Sequence, residues 1–275
     1  MDIIASGTWR SKMFGEVTGS GESESPWLVM VHGMSQNRLI FDRQVERFSP
    51  SYRILLIDLP GHGIASAHPG PFGHLEYADH VAKCLDANGI EEAHYWGTHT
   101  GTAAGLLNAV AAPERFLSLI LEGPVLPGQN VECVTRELTR ARKLAATEGV
   151  PAAIAAWWSE APWFDFMRGH PGSARADKQR AIVETFSGRP WLDEQTPAAV
   201  PDIAEQLAQL HVPTQIYTGA FDHPDFITEA GRLEQLMARA ERKVVPSAGG
   251  FPAWENPNST NALVGEFLKR ARRTP

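Results

Sequence analysis

Ala93-His94-Tyr95-Trp96-Gly97-Thr98-His99-Thr100-Gly101 is a short apolar run that breaks into two glycines placed symmetrically around one histidine. Ala93 to Trp96 reads as a buried strand, because it is brief, apolar and followed at once by turn residues. Thr100 to Ala112 is small and apolar and stops at Pro113, so it reads as a helix. A strand therefore turns into a helix within five residues, and His99 stands at the centre of the turn.

The same rhythm extends to both sides. Trp27 to Val31 is a strand ending in His32-Gly33, and Arg53 to Asp58 is a second one closed by Leu59-Pro60-Gly61-His62-Gly63. Helices fit residues 36–48 and 75–88, the second stopped by Gly89. Leu117 to Glu122 is a fourth strand, followed by Gly123-Pro124. Strand and helix alternating at this spacing give βαβ units and a mostly parallel sheet flanked by helices, an α/β fold. From about 125 to 205 no strand is legible. Residues 131–147 and 151–158 fit helices, and Trp157, Trp158, Trp163, Phe164, Phe166 and Trp191 crowd the stretch. The rhythm returns with strands at 213–219 and 242–246 and helices at about 227–240 and 258–272. The reading is a core made of residues 1–124 and 206–275, interrupted by a helical insertion at 125–205.

Composition narrows the function. With 25 Lys and Arg against 32 Asp and Glu, the net charge is −7, which gives no footprint for nucleic acid and no polybasic membrane signal. The chain is 43% hydrophobic and 21% charged, ordinary for a globule with a sizeable core. The longest stretch without a charged side chain, Ala93 to Pro113, carries histidines, threonines and glycines and is a poor membrane span. Met1-Asp2-Ile3-Ile4 lacks a positive n-region, and a cytoplasmic location is expected. The two cysteines, Cys84 and Cys133, form no C-x-x-C, so neither a disulfide nor a cysteine-ligated metal is expected. His68, His74 and His80 are six apart, which is not a helical ligand spacing. Gly19-Ser20-Gly21 and Gly61-His62-Gly63 read as turns without a nucleotide-binding fingerprint.

In this order the motifs resemble the α/β-hydrolase superfamily, among its small members with a helical cap, from about residue 15 to 270. Val31-His32-Gly33-Met34 looks like the strand and oxyanion loop, and Asp58 to Gly63 like the D-x-x-G-H-G turn. Gly97-Thr98-His99-Thr100-Gly101 sits where the nucleophile elbow G-x-S-x-G belongs. Gly219-Ala220-Phe221-Asp222 looks like the loop of the catalytic acid. Ser247-Ala248-Gly249-Gly250-Phe251-Pro252, followed by Glu255-Asn256-Pro257, looks like the loop of the catalytic histidine. The resemblance implies the insertion as a cap over the site, and main-chain N–H groups at Met34 and Thr100 as the oxyanion hole.

Two positions depart from the pattern. The elbow carries His99 in place of a hydroxyl, thiol or carboxylate, and the last loop carries Gly250 in place of histidine. A serine triad needs a hydroxyl, an imidazole and a carboxylate, so an ordinary serine esterase is not expected. An imidazole reaches roughly 2 Å further than a hydroxyl from the same Cβ. His99 is therefore expected to enter a slot vacated at Gly250 and to pair with Asp222, whose carboxylate would fix its tautomer and raise its basicity. The expected activity is cofactor-free general-base chemistry, hydrolysis or cleavage next to a carbonyl, on a small and partly apolar metabolite. It needs no metal and no organic cofactor. The alternative is a catalytically inactive relative that binds a small ligand or a protein partner. The sequence leaves the substrate and the oligomeric state open.

Lesser candidates surround this pair. Glu122 ends the strand after the elbow and is an alternative partner for His99, and His223 follows Asp222 and is an accessory imidazole. His32 and His62 read as structural. Thr98 and Thr100 flank the elbow, and helix-start capping suits Thr100 better than nucleophilic attack. Trp157, Trp158, Trp163 and Phe166 are the expected pocket lining, although tryptophans in such an insertion also serve to pack it onto the sheet. Arg168 reads as an exposed arginine rather than a partner for a substrate carboxylate.

Overall fold

The structure, a computed structural model, describes residues 10–12, 15–19 and 24–271. Eight strands form one sheet: β1 Arg10–Lys12, β2 Gly15–Thr18, β3 Trp27–Val31, β4 Arg53–Ile57, β5 Ala93–Thr98, β6 Phe116–Glu122, β7 Thr214–Gly219 and β8 Ala240–Val245. Their order is β1-β2-β4-β3-β5-β6-β7-β8. Pairing is parallel from β4 to β8 and antiparallel for β1 with β2 and β2 with β4. The mostly parallel sheet is as expected. β1 and β2 were not legible, because neither carries an apolar run; β2 is held by its pairing along β4, from Gly15 opposite Ile57 to Thr18 opposite Ile54. Ser20 and Gly21 of the expected first turn, and Met1 to Ile4, lie outside the described residues.

The side-chain alternation of the strands builds two cores. Leu28, Met30, Ile54, Leu56, Trp96 and Ile120 point to one face. Val29, Val31, Leu55, Ile57, Tyr95 and Leu121 point to the other. Burial on both faces is why these strands read as continuous apolar runs rather than alternating ones. Helices α1 (Asp42–Phe48), α2 (His74–Ala87) and α3 (Thr100–Ala111) follow the first strands. A 3-10 turn at Arg38–Phe41 replaces the first part of the helix expected from residue 36.

Between β6 and β7 the described chain is helical: α4 Glu132–Thr147, α5 Val150–Glu160, α6 Asp165–Gly169, α7 Ala176–Glu184, α8 Arg189–Leu192 and α9 Ala204–Ala208. Trp157, Trp163 and Phe164 of this segment share one apolar cluster with Trp96, Tyr217 and Phe251 of the sheet and its loops. The chain closes with α10 Pro224–Leu236, α11 Pro252–Glu255 and α12 Pro257–Ala271. α10 starts earlier than its apolar spacing suggests, because His223 caps its first turn by accepting from the Asp225 N–H at 3.2 Å, and it ends earlier, where Met237 turns to extended backbone.

The strand order fixes the site. From β3 the chain steps outward to β4, then crosses back to place β5 on the other side of β3. Connections that leave neighbouring strands in opposite directions open a crevice at the strands' carboxyl ends. Met34 follows β3 and His99 follows β5, so both lie at that crevice.

Candidate active site

His99 occupies a backbone conformation that side-chain-bearing residues rarely adopt, with φ 45° and ψ −112°. Its surroundings leave little choice. A Cβ on Gly97 would lie 2.6 Å from the Gly101 main chain, and one on Gly101 would lie 2.3 Å from the Val31 carbonyl. Only glycine fits on either side. The turn is then tied down by His99 N–H donating to Glu122 O at 2.9 Å and by Thr102 N–H donating to His99 O at 2.8 Å. The strain at the elbow is thus held by the sheet and by α3.

The imidazole is buried between two rings, Phe226 and Phe251, each with its centroid 4.6 Å away. Gly123 closes a third side: a Cβ there would come within 2.8 Å of His99 Cε1. His99 Nε2 lies 2.7 Å from the Gly250 carbonyl oxygen. A carbonyl only accepts, so Nε2 carries the proton and Nδ1 is the acceptor. Burial lowers the His99 pKa to about 4, with the Gly250 bond pulling weakly the other way.

The expected His99–Asp222 pair is not formed. No hydrogen bond or ion pair joins them; Asp222 Oδ1 accepts from the His223 N–H at 2.8 Å, and Oδ2 is buried with no hydrogen-bond partner among the described residues. Nor is there a vacated slot at Gly250. A Cβ on that residue would lie 2.6 Å from the Trp163 carbonyl oxygen and 2.8 Å from Trp163 Cβ, so the segment between β6 and β7 fills the space. Burial, and then the neighbouring Glu122, push the Asp222 carboxyl well above its usual range.

Glu122 does not orient His99 either. Its Oε2 accepts from the Tyr217 hydroxyl and the Ala253 N–H, both at 2.8 Å, and joins β6 to β7 and the last loop. Glu255, which the sequence marks only as part of the last loop's motif and gives no role, accepts from the N–H groups of Gly249 and Phe251, the residues on either side of Gly250. The carbonyl that holds His99 is therefore itself clamped. Burial raises both Glu122 and Glu255 to about 8.

A cavity of about 290 Å³ opens over the elbow, and Met34, His99 and Thr100 form part of its wall. Neither the Met34 nor the Thr100 N–H is engaged by an acceptor among the described residues. Trp157 and Trp163 line the cavity as expected, and Trp157 is fixed by donating from Nε1 to Ser35 Oγ at 2.7 Å. Trp158 and Phe166 are not on the wall. Trp158 packs on Phe164 at 4.8 Å, and Phe166 stacks on His170 and Phe221; both pack against the apolar cluster from its partly buried edge. Arg168 is spent on the Trp158 and Ala161 carbonyls. His74, Tyr77 and Arg142 are on the wall and were missed as pocket residues. Helix periodicity places Tyr77 in the core but does not show that a cavity reaches it.

His223 caps α10 and does not line the cavity. With Cys133 and Asp225 it forms a group whose ligand atoms lie within 4.8 Å of one another, but Asp225 N–H already donates to His223 Nδ1 and the Cys133 N–H to Asp225 Oδ2. His32 and His62 are structural. His32 Nε2 accepts from the Leu59 N–H at 3.0 Å and His62 Nε2 from the Ser35 N–H at 3.2 Å, and burial lowers them to about 4 and about 3.

A doubly wound sheet with a strained strand-to-helix elbow at its carboxyl edge and helices inserted after β6 defines the class. The chain belongs to the alpha/beta hydrolase fold family, which it matches over residues 26–257. It is 27% identical to the 2-succinyl-6-hydroxy-2,4-cyclohexadiene-1-carboxylate synthase of Serratia proteamaculans (strain 568), over 92% of this chain and 97% of that protein. It is 30% identical to the synthase of the same name from Yersinia pseudotuberculosis serotype O:1b (strain IP 31758), over 91% of this chain and 90% of that one. Among solved structures, MenH from S. aureus superposes with a TM-score of 0.79 at 19% identity, covering 95% of this chain and 100% of that one. Among the described residues no helix is long and apolar enough to cross a membrane.

Proposed function

We propose that this protein is an enzyme that uses His99 as a lone general base on a small, largely apolar metabolite bearing a carbonyl, without metal or organic cofactor. The observation that carries the reading is the sharing of one cavity wall by His99, Met34 and Thr100, with both main-chain N–H groups unengaged. Nδ1 takes a proton from the substrate or from a water beside it. Charge that develops on the carbonyl oxygen is met by the Met34 and Thr100 N–H groups, which no acceptor among the described residues engages. Gly250 O holds Nε2–H and so fixes which nitrogen is basic. Cleavage next to the carbonyl suits this base better than attack by water. A buried imidazole with a pKa near 4 is a weak base, and a carbonyl polarised in the oxyanion site acidifies the adjacent bond. The relatives described above, synthases named for a small metabolite, support a small-metabolite substrate.

A second reading, a binding protein without turnover, is favoured by one observation: Asp222 is not joined to His99 and does nothing for its basicity. Proton abstraction from 5-nitrobenzisoxazole separates the two, because that probe reports a positioned base in an apolar cavity without knowledge of the natural substrate. An enzyme of the proposed kind accelerates it, and His99→Ala loses ~10²-fold while keeping the fold. Equal rates for the parent and His99→Ala would leave only the binding reading.

A further inference from the structure

Away from the elbow, the cavity wall carries a second set of polar groups. Tyr77, on the first turns of α2, is 2% exposed; its hydroxyl is buried and has no hydrogen-bond partner among the described residues. A buried hydroxyl left unpaired is costly, and native structures rarely keep one without a use. Gly73 and His74 begin the same helix and line the same cavity, and Gly73 has no side chain with which to cap the first-turn N–H groups. Opposite, α4 contributes Arg142, the only Asp, Glu, Lys or Arg on the described wall. No ion pair or hydrogen bond engages its guanidinium among the described residues. Of the charged groups that act on the Tyr77 hydroxyl, Arg142 acts most strongly, ahead of Glu76 and Asp193. Those two carboxylates do not line the wall: Glu76 Oε1 accepts the Ala198 N–H and Asp193 Oδ1 the Gln195 N–H, while Glu76 Oε2, which a Cβ on Gly73 would approach to 2.5 Å, and Asp193 Oδ2 are buried without a partner among the described residues.

We infer that this wall is a subsite for a carboxylate on the substrate, received by the Tyr77 hydroxyl, the Arg142 guanidinium and the N-terminal turn of α2. An unpaired hydroxyl alone would accept any neutral acceptor. An unpaired cation and a helix N-terminus beside it select a negative oxygen. The inference rests on the proposed function and extends it: the substrate has an apolar body, a carbonyl presented to His99 and a carboxylate presented to α2 and α4. Arg142 is exposed on its outer side, so the attraction falls with added salt.

Binding, rather than turnover, tests it. Quenching of tryptophan fluorescence, with Trp157 and Trp163 on the wall, is followed for matched pairs: benzoate and benzamide, 3-phenylpropanoate and 3-phenylpropanamide, hexanoate and hexanamide. The carboxylate of at least one pair should bind about tenfold tighter than its amide, as a charge-assisted contact would give. Arg142→Met should reduce that preference to below about twofold, and Tyr77→Phe should weaken the carboxylate several-fold at an unchanged or higher melting temperature. His99→Ala should leave the preference intact, so loss of the base and loss of the subsite read out separately. Amides binding as well as their carboxylates in every pair, no binding by any member at millimolar concentration, or a preference that survives Arg142→Met would each overturn the subsite.

Discussion

The Gly250 carbonyl oxygen stands 2.7 Å from His99 Nε2, so the imidazole at the elbow takes its orienting partner from the main chain of the loop where a hydrolase of this family is expected to carry its own histidine. The two departures from the family pattern are thus in contact. A neutral carbonyl fixes the tautomer but adds little basicity, and burial then decides the pKa.

The pH dependence of catalysis follows from this. With His99 neutral in the free protein down to about 4, kcat/KM for the base probe should be level from pH 5 to 7 and fall only on approach to pH 4. Asp222→Asn should change the neutral-pH rate by less than about threefold, because the carboxyl makes no hydrogen bond or ion pair to the imidazole. An acid limb near 6.5, abolished in Asp222→Asn, would mean that the two pair during turnover.

Rebuilding a serine triad should fail. His99→Ser with Gly250→His places the new imidazole against the Trp163 main chain, where even a Cβ comes within 2.6 Å. Overpacking of this kind costs about 1–3 kcal/mol. The double variant should melt lower than the parent and gain no hydrolysis of 4-nitrophenyl acetate. A thermal melt and an ester assay check both; a stable variant with burst kinetics would show that Trp163 yields.

Serine-directed reagents should leave the parent unlabelled. The hydroxyls that flank the elbow centre belong to Thr98, which is fully buried, and Thr100, neither of which occupies the apex of the turn, and the Thr102 hydroxyl donates to the His99 carbonyl at 2.5 Å. Intact-mass spectrometry after treatment with an organophosphate or a sulfonyl fluoride should show no stoichiometric adduct. One adduct on a pocket hydroxyl would restore a covalent mechanism.

Stability should decline between pH 6.5 and 8. Glu122 and Glu255 are raised by burial to about 8, against 4.5 unfolded, so the folded state holds more protons in that interval. Their contribution is full below 4.5 and is lost as pH rises through about 8. His32, His80 and His99, lowered to about 4 from 6.5, act the other way: their contribution is full above 6.5 and is lost as pH falls toward 4. The two sets oppose each other below 6.5, and only the carboxyls remain above it. Melting temperature should therefore fall from pH 6.5 to 8, and less steeply in Glu255→Gln, whose amide oxygen can still accept from Gly249 and Phe251. A parent curve that stays level over that range would show the carboxyls to be ionised throughout.

The sequence by itself determined the order of strands and helices, the elbow and its missing hydroxyl. Those features are local. Period and punctuation mark β3 to β8, and the glycines around His99 are required by contacts with the adjoining strand and turn, so spacing alone finds them. β1 and β2 escaped because neither carries an apolar run to read; β2 is placed by pairing along β4, and β1 by pairing along β2. Only the tertiary structure decided what His99 touches. The groups that settle it, Gly250, Trp163 and Phe226, come from segments far away in the chain. Their meeting depends on how short helices between β6 and β7 turn against the sheet, and two turns of helix carry too few residues for a period to state which side faces in. The same packing sends Trp163 to the cavity and Phe166 to the outer stack with Phe221, residues that composition cannot tell apart.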